Sequence, residues 1–319
     1  MIHRMIDDLT NLLAEASSRY PGCWDRIDSL RLARANSSHH WPSYCLVPLE
    51  LSVDIVMGGK SWSNKDLLER SPDIAKLTAL SSWSATQRVY KFDAALLHEL
   101  GETPVSNIPF EIFRQLPDWC VYIQIPDEFV SGCFVHMEAT DRTDDELRFL
   151  FHLTGAGFDS LYPMVIHSFE GAVKDCLEIE IEEAERALLP VDTGDIELNE
   201  FFKRNSNILR NILKVFPKIV SQTLYLCSIN GDYARPTTAQ KTSSQEILFA
   251  PSKSQEIEVG MTIGAKLKAV MSHAAKQKLH EPPQWHHYWT EEKRELILKW
   301  GSPLLDNLGR GVPAETGKS

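Results

Sequence analysis

Residues 284–289 read Gln-Trp-His-His-Tyr-Trp, which places two imidazoles, two indoles and a phenol within six positions. Such groups can hold a metal, stack on a partner or move protons. The run is aromatic, follows Pro282-Pro283 and precedes charged residues, so a strand is predicted. Neighbours on a strand point to opposite faces. One face then carries Gln284, His286 and Tyr288, and the other Trp285, His287 and Trp289. The adjacent histidines diverge, whereas zinc wants about four convergent ligands. The tryptophan face is expected in the core, with the His/Tyr face lining the surface or a groove.

Other residues invite chemistry less strongly. His136 and His152 fall in predicted strands and, with Asp141, could form a metal or acid-base set. Asp141, Asp144 and Asp145 share a predicted hairpin turn, where Asp is favoured, without the ligand ladder of a calcium loop. Glu178, Glu180, Glu182, Glu183 and Glu185 spread around a predicted helix and read as a solvated face. The Gly-Gly-Lys at 58–60 lacks the context of a phosphate loop. There is no G-x-S-x-G elbow. The sequence alone names no enzyme, and no cofactor or resident metal is expected.

These groups need a scaffold, and the composition supplies an ordinary one. The chain has 319 residues, 43% apolar and 24% charged, enough for one large or two modest domains. No apolar run is long enough to span a bilayer. Asp7 and Asp8 interrupt the place where a signal peptide needs its apolar stretch. Ile2, Met5, Ile6, Leu9, Leu12, Leu13 and Ala16 instead recur at helical spacing, so a cytoplasmic protein opening on an amphipathic helix is expected. Cys23, Cys45, Cys120, Cys133, Cys176 and Cys227 are scattered, with no C-x-x-C, and read as buried free thiols. A net charge of −11 argues against a broad nucleic-acid surface and against direct sequence-specific DNA binding. Residues 251–319 hold ten Lys and Arg against eight Asp and Glu, which leaves room for a small basic patch.

Along the chain, residues 1–110 read as a mainly helical region of two or three helices. Residues 111–307 read as an α+β core region, and 308–319 as a flexible tail. The period changes at 119–125, 132–139 and 146–153, three short aromatic and β-branched runs that predict an antiparallel meander, with 164–169 as a fourth strand. Helices are predicted over 169–189 and 197–229. Phe201, Phe202, Ile208, Leu209, Ile212, Leu213, Val215 and Phe216 form the apolar stripe of the second, and Pro217 should kink or restart it. Residues 231–256 read as a polar loop, 256–263 as a strand, 264–275 as a helix, and 284–289 and 296–300 as strands. The fold class expected is α+β: a central antiparallel sheet with helices packed around it and a helical N-terminal part.

Three stretches taken in order resemble a known family. "LPDWCVYIQI" (116–125), "LYLCSINGDYARP" (224–236) and "QWHHYW" through "LILKWGSPLLDN" (284–307) are similar to the second family of type V-A anti-CRISPR proteins, phage- and plasmid-borne inhibitors of the type V-A CRISPR effector nuclease. The likeness carries over at Leu116, Pro117, Asp118, Trp119, Cys120, Val121 and Tyr122, then at Leu226, Cys227, Arg235 and Pro236. It resumes at Trp285, His286, Tyr288, Trp289, Trp300 and Pro303. The family's aromatic motif commonly reads His-Trp-His-Gly-Tyr-Trp; here Gln284 replaces the first His and His287 the Gly.

The resemblance implies a bacterial host cell and a partner rather than a small substrate. It implies recognition of a segment of the effector polypeptide, nascent on the ribosome, followed by loss of the encoding mRNA through a host RNA-decay factor. Peptide capture can use an exposed sheet edge or an aromatic groove. Trp119, Trp285, His286, Tyr288, Trp289 and Trp300 are the candidate peptide-binding residues. A metal-dependent RNase or hydrolase built from His136, His152, Asp141 or His286 stands as the alternative, and a ribosome-associated adaptor using the basic patch as a third reading.

Overall fold

The computed structural model describes residues 2–33, 41–59, 61–139, 145–155, 157–168, 171–189, 196–235, 254–274, 282–290 and 294–305. Four helices come first: α1 (Ile2–Arg19), α2 (Cys23–Ala33), α3 (Leu49–Met57) and α4 (Asn64–Ser84). Then follow β1 (Arg88–Phe92), α5 (Ala94–Glu102), a 3-10 segment (Phe110–Gln115), β2 (Cys120–Gln124), β3 (Val130–Ala139), β4 (Asp145–Leu153) and β5 (Leu161–His167). The chain continues with α6 (Val173–Ala187), α7 (Ile196–Cys227), β6 (Gln255–Val259), α8 (Met261–Ala274), β7 (Gln284–Trp289) and β8 (Leu296–Gly301). No described helix is long and apolar enough to cross a membrane.

The fold is α+β, and the meander β2-β3-β4-β5 is antiparallel throughout. The sheet extends the meander by two strands: β6, within the stretch expected as a strand over 256–263, and β1, which the sequence did not reveal. Its order is β5-β4-β3-β2-β1-β6, with β1 parallel to both β2 and β6. Among its described residues, the segment read as two or three helices thus holds five, plus a strand that pairs between β2 and the edge strand β6. β1 escapes a periodicity search because it spans only five residues between helices.

Alternate residues of each strand feed two cores. Cys120, Tyr122, Phe134 and Leu150 face Leu9, Leu12, Leu77, Leu80 and Trp83 of α1 and α4. Val121, Ile123, Val135, Phe149 and Phe151 face Leu96, Ile212, Phe216 and Val220 of α5 and α7. Helices therefore cover both faces, which is why the strands read as nearly continuous apolar runs. Phe216 sits edge-on to Phe149, with ring centroids 5.0 Å apart.

Two boundaries differ from expectation. α7 runs unbroken through Pro217. The proline removes one backbone hydrogen bond, but Phe216, Ile219 and Val220 are buried on either side and hold the helix to the sheet. The strand expected over 256–263 stops at Val259, because Gly260 (φ 77°) turns the chain and α8 begins at Met261. Of the polar loop expected over 231–256, residues 236–253 lie outside the described residues, as do Pro236 and the tail from 306.

One buried ion pair fastens β1 to the start of β2. Arg88 Nη1 donates to Asp118 Oδ1 at 2.5 Å, and Tyr90 OH donates to Asp118 Oδ2 at 2.6 Å. Arg88 and Asp118 are both buried. Removing one partner of such a pair strands the other charge and costs about 3–5 kcal/mol. Asp118→Ala is therefore expected to lower unfolding free energy by about that amount. Urea denaturation checks it, and a loss no larger than a surface substitution gives would mean solvent reaches Arg88.

Candidate functional site

β7 and β8 form a separate two-stranded antiparallel ribbon, joined through Thr290, Arg294 and Glu295. Its inner face pairs Trp285 with Trp300, His287 with Leu298, and Trp289 with Leu296. Trp300 is locked in place: its indole N–H donates to Thr103 Oγ1 at 3.0 Å, and Tyr225 packs edge-on at 5.8 Å. Trp285, Leu296, Leu298 and Trp300 are buried in the core.

The outer edge of β8 is engaged at the carbonyls of Leu296, Leu298 and Trp300 and at the amide of Trp300. Ile229 N donates to Leu298 O at 2.8 Å. Asn230 grips Trp300 from both sides, its Nδ2 donating to the carbonyl at 2.7 Å and its Oδ1 accepting from the amide at 3.1 Å. Gln115 Nε2 donates to Leu296 O at 2.6 Å. Asn230 and Gln115 went unnoticed in the sequence. The only hint was the position of Asn230 inside the stretch 224–236.

The tryptophan face is core at Trp285 but not along its length. Trp289 is 54% exposed and His287 is exposed too, because β7 is the outer strand and the body supports only its first half. On the other face Tyr288 is 46% exposed, with the Lys299 ammonium 5.5 Å from its ring centroid. His286 is exposed beside Gly301. The six candidate residues therefore separate. His286, Tyr288 and Trp289 are exposed, Trp289 on one face of the ribbon and His286 and Tyr288 on the other, while Trp285 and Trp300 are buried. Trp119 is buried on the opposite face of the six-stranded sheet, its indole N–H donating to Ser43 O at 2.9 Å.

The alternative chemistry is not assembled. His136 pairs with Arg148 and His152 with Gly132. The two histidines thus share a face but stand four positions apart, about 13 Å at the usual rise, with Phe134 and Leu150 between them. His152 Nδ1 is 3.1 Å from Tyr122 OH. Asp141 and Asp144 lie outside the described residues, as do His39 and His40. Asp145 binds Tyr44 OH and Arg114 Nε, at 2.5 and 2.6 Å. Among the described residues, no group of three or more His, Cys, Asp or Glu is placed to hold a metal. All six cysteines are buried free thiols. The acidic run on α6 is mostly exposed, with Glu180 Oε1 3.9 Å from His167 Nε2. A cleft of about 350 Å³ between α5 and α7 contains none of the candidate residues.

His136 and Glu138 form a buried neutral pair. Burial lowers His136 from 6.5 to about 3, with Arg148 adding to the shift. Burial raises Glu138 from 4.5 to about 8, against the opposing hydrogen bond from Leu49 N. Glu138 Oε1 accepts from Leu49 N at 2.8 Å at the start of α3, and Cys45 Sγ lies 3.6 Å away. Among the described residues, the ring nitrogens of His136 and Oε2 of Glu138 have no hydrogen-bond partner. Their 3.8 Å separation is too long for a bond.

The chain matches the AcrVA2-like family, described as the anti-CRISPR type V subtype A2 family, over residues 90–307, which run from β1 to just beyond β8. Among solved structures it is similar to one titled "Crystal structure of AcrVA2", with 16% identity and a TM-score of 0.59 over 94% of this chain and 97% of that one. No curated protein matches the chain.

Two outcomes follow from the geometry. Trp285→Ala should destabilise the protein by about 3–5 kcal/mol, whereas Trp289→Ala should change stability by no more than about 0.5 kcal/mol. Equal losses in chemical denaturation would contradict the assigned faces. Glu138 folds protonated, so its burial costs nothing below pH 4.5 and progressively more as pH rises toward 8. His136 folds neutral and costs stability as pH falls from 6.5 toward 3. Wild-type Tm should therefore drop between pH 6.5 and 8. Glu138→Gln should flatten that alkaline limb while keeping the acid one, and parallel Tm profiles for the two proteins would refute the protonated carboxyl.

Proposed function

Because the chain belongs to the anti-CRISPR type V subtype A2 family, we propose that it recognises a polypeptide segment of the type V-A CRISPR effector nuclease through the β7–β8 ribbon. In this reading it acts by binding, in the bacterial cytoplasm, while the segment is nascent on the ribosome. Effector production falls because the encoding mRNA is then lost to a host RNA-decay factor that the complex engages.

The observation that supports the reading is the exposed trio His286, Tyr288 and Trp289 on a ribbon whose other strand is anchored in the core. Large aromatics held out on a rigid base are the usual energetic anchors of an interface, because they bury much area at small entropic cost. Trp285 and Trp300 serve from beneath, fixing the ribbon's orientation. Trp119 serves from a distance, packing the layer formed by α1–α4 against the sheet.

The test is an array of overlapping effector peptides probed with the whole protein and with a Tyr288→Ala, Trp289→Ala double variant. One segment should bind the wild type, and the variant should lose affinity at least about 30-fold, as for a central hot spot of about 2 kcal/mol. An array with no bound segment would overturn the recognition of an effector polypeptide. Undiminished binding by the variant would move the site away from this ribbon.

A further inference from the structure

The hydrogen bonds around the ribbon show which backbone groups of β7 remain to be satisfied. Residues 296, 298 and 300 of β8 direct their carbonyls away from β7, toward Gln115, Ile229 and Asn230. In an antiparallel pair the bonded and non-bonded positions alternate. The bonds between the two strands therefore fall at 284, 286 and 288, and Thr290 N continues the series by donating to Glu295 O. The N–H and C=O groups of Trp285, His287 and Trp289 consequently point to the far side of β7. Among the described residues no hydrogen bond is made to these groups, and β7 has no neighbour but β8.

An open edge of this kind is a hazard that proteins usually blunt with bulges, inward charges or a cover. β7 has none of these among the described residues: its side chains are Gln, Trp, His, His, Tyr and Trp, and its register with β8 is unbroken. Pro282 and Pro283 precede the strand and limit the open edge to its six residues.

Building on the recognition reading above, we propose that the captured segment binds as an added strand along the free edge of β7, in extended conformation. Backbone pairing with residues 285, 287 and 289 supplies affinity. Alternate side chains of the segment supply specificity. On one face they meet Trp289 and His287, which suits apolar or aromatic residues. On the other they meet Tyr288 and His286 beside Lys299, which suits acceptors and carboxylates. The charge agrees: on that face the Lys299 ammonium lies 5.5 Å from the Tyr288 ring centroid and makes no ion pair among the described residues. The occupant is thus an extended segment, apolar on one side and acidic on the other.

Two perturbations test the proposal. The first is backbone N-methylation, one position at a time, of whichever effector segment the array identifies. Strand addition expects losses of at least tenfold at alternate positions and tolerance between them. The second is His287→Pro in the whole protein. Its missing N–H belongs to the free edge, so pairing with β8 survives, while binding should fall at least tenfold with the far-ultraviolet circular dichroism spectrum unchanged. The methylation scan decides the matter even where the proline variant fails to fold. A segment that binds the wild type but tolerates methylation at every position overturns strand addition and leaves polypeptide recognition standing. Failure of every segment to bind overturns both. Concentration-dependent dimers in sedimentation, abolished by His287→Pro, would show that a second copy of the chain takes the edge, and would overturn the peptide as occupant.

Discussion

The Arg88–Asp118 pair is the constraint from which the rest of the architecture extends. A guanidinium and a carboxylate withdrawn from water must meet each other or unfold, and here their meeting fixes β1 beside β2. Tyr90 completes the carboxylate's shell and packs edge-on against Tyr233, 6.0 Å away. Tyr233 in turn donates its hydroxyl to Leu226 O near the end of α7. Three residues after α7 ends, Asn230 takes hold of the Trp300 backbone. A continuous path of contacts thus leads from the parallel strand β1 to the ribbon.

That path runs through the three stretches on which the sequence resembles the family, all of them inside the matched residues 90–307. The first supplies Asp118 and Trp119, which bind β1 on one side and Ser43 on the other. The second supplies Tyr225, Leu226, Asn230 and Tyr233, the connectors between α7 and the ribbon. The third supplies the ribbon. Most of these residues are scaffold, and the aromatic run combines scaffold and surface in the same few positions.

The meander was legible because its strands are apolar, aromatic and punctuated by turn residues. α6 and α7 were legible from their apolar stripes. β1 was hidden because five residues between helices give too short a pattern, and its neighbours β2 and β6 lie far away in the sequence. Pro217 does not restart the helix because tertiary packing of Phe216 and Ile219 outweighs one lost hydrogen bond. For the candidate site, strand and facing were readable in 284–289, but exposure was not. Trp285 and Trp289 point the same way on one strand, and only the extent of the body beneath them makes one core and the other surface. His136 and His152 looked like partners because strand and residue type were right. The register that sets them apart is a property of the pairing and not of either strand alone.

Of the six letters in β7, one is spoken for by the core. Trp285 is buried while Gln284, His286, His287, Tyr288 and Trp289 all face solvent. Gln284 and His287, where the sequence departs from the aromatic motif it resembles, are both among those five. The ribbon can therefore be rewritten without renegotiating the fold, much as an antibody loop varies on a constant frame. Substitution at any of the five leaves the buried contacts of Trp285, Leu296, Leu298 and Trp300 in place, so the solvent side of the ribbon can change one residue at a time while the body beneath it stays folded.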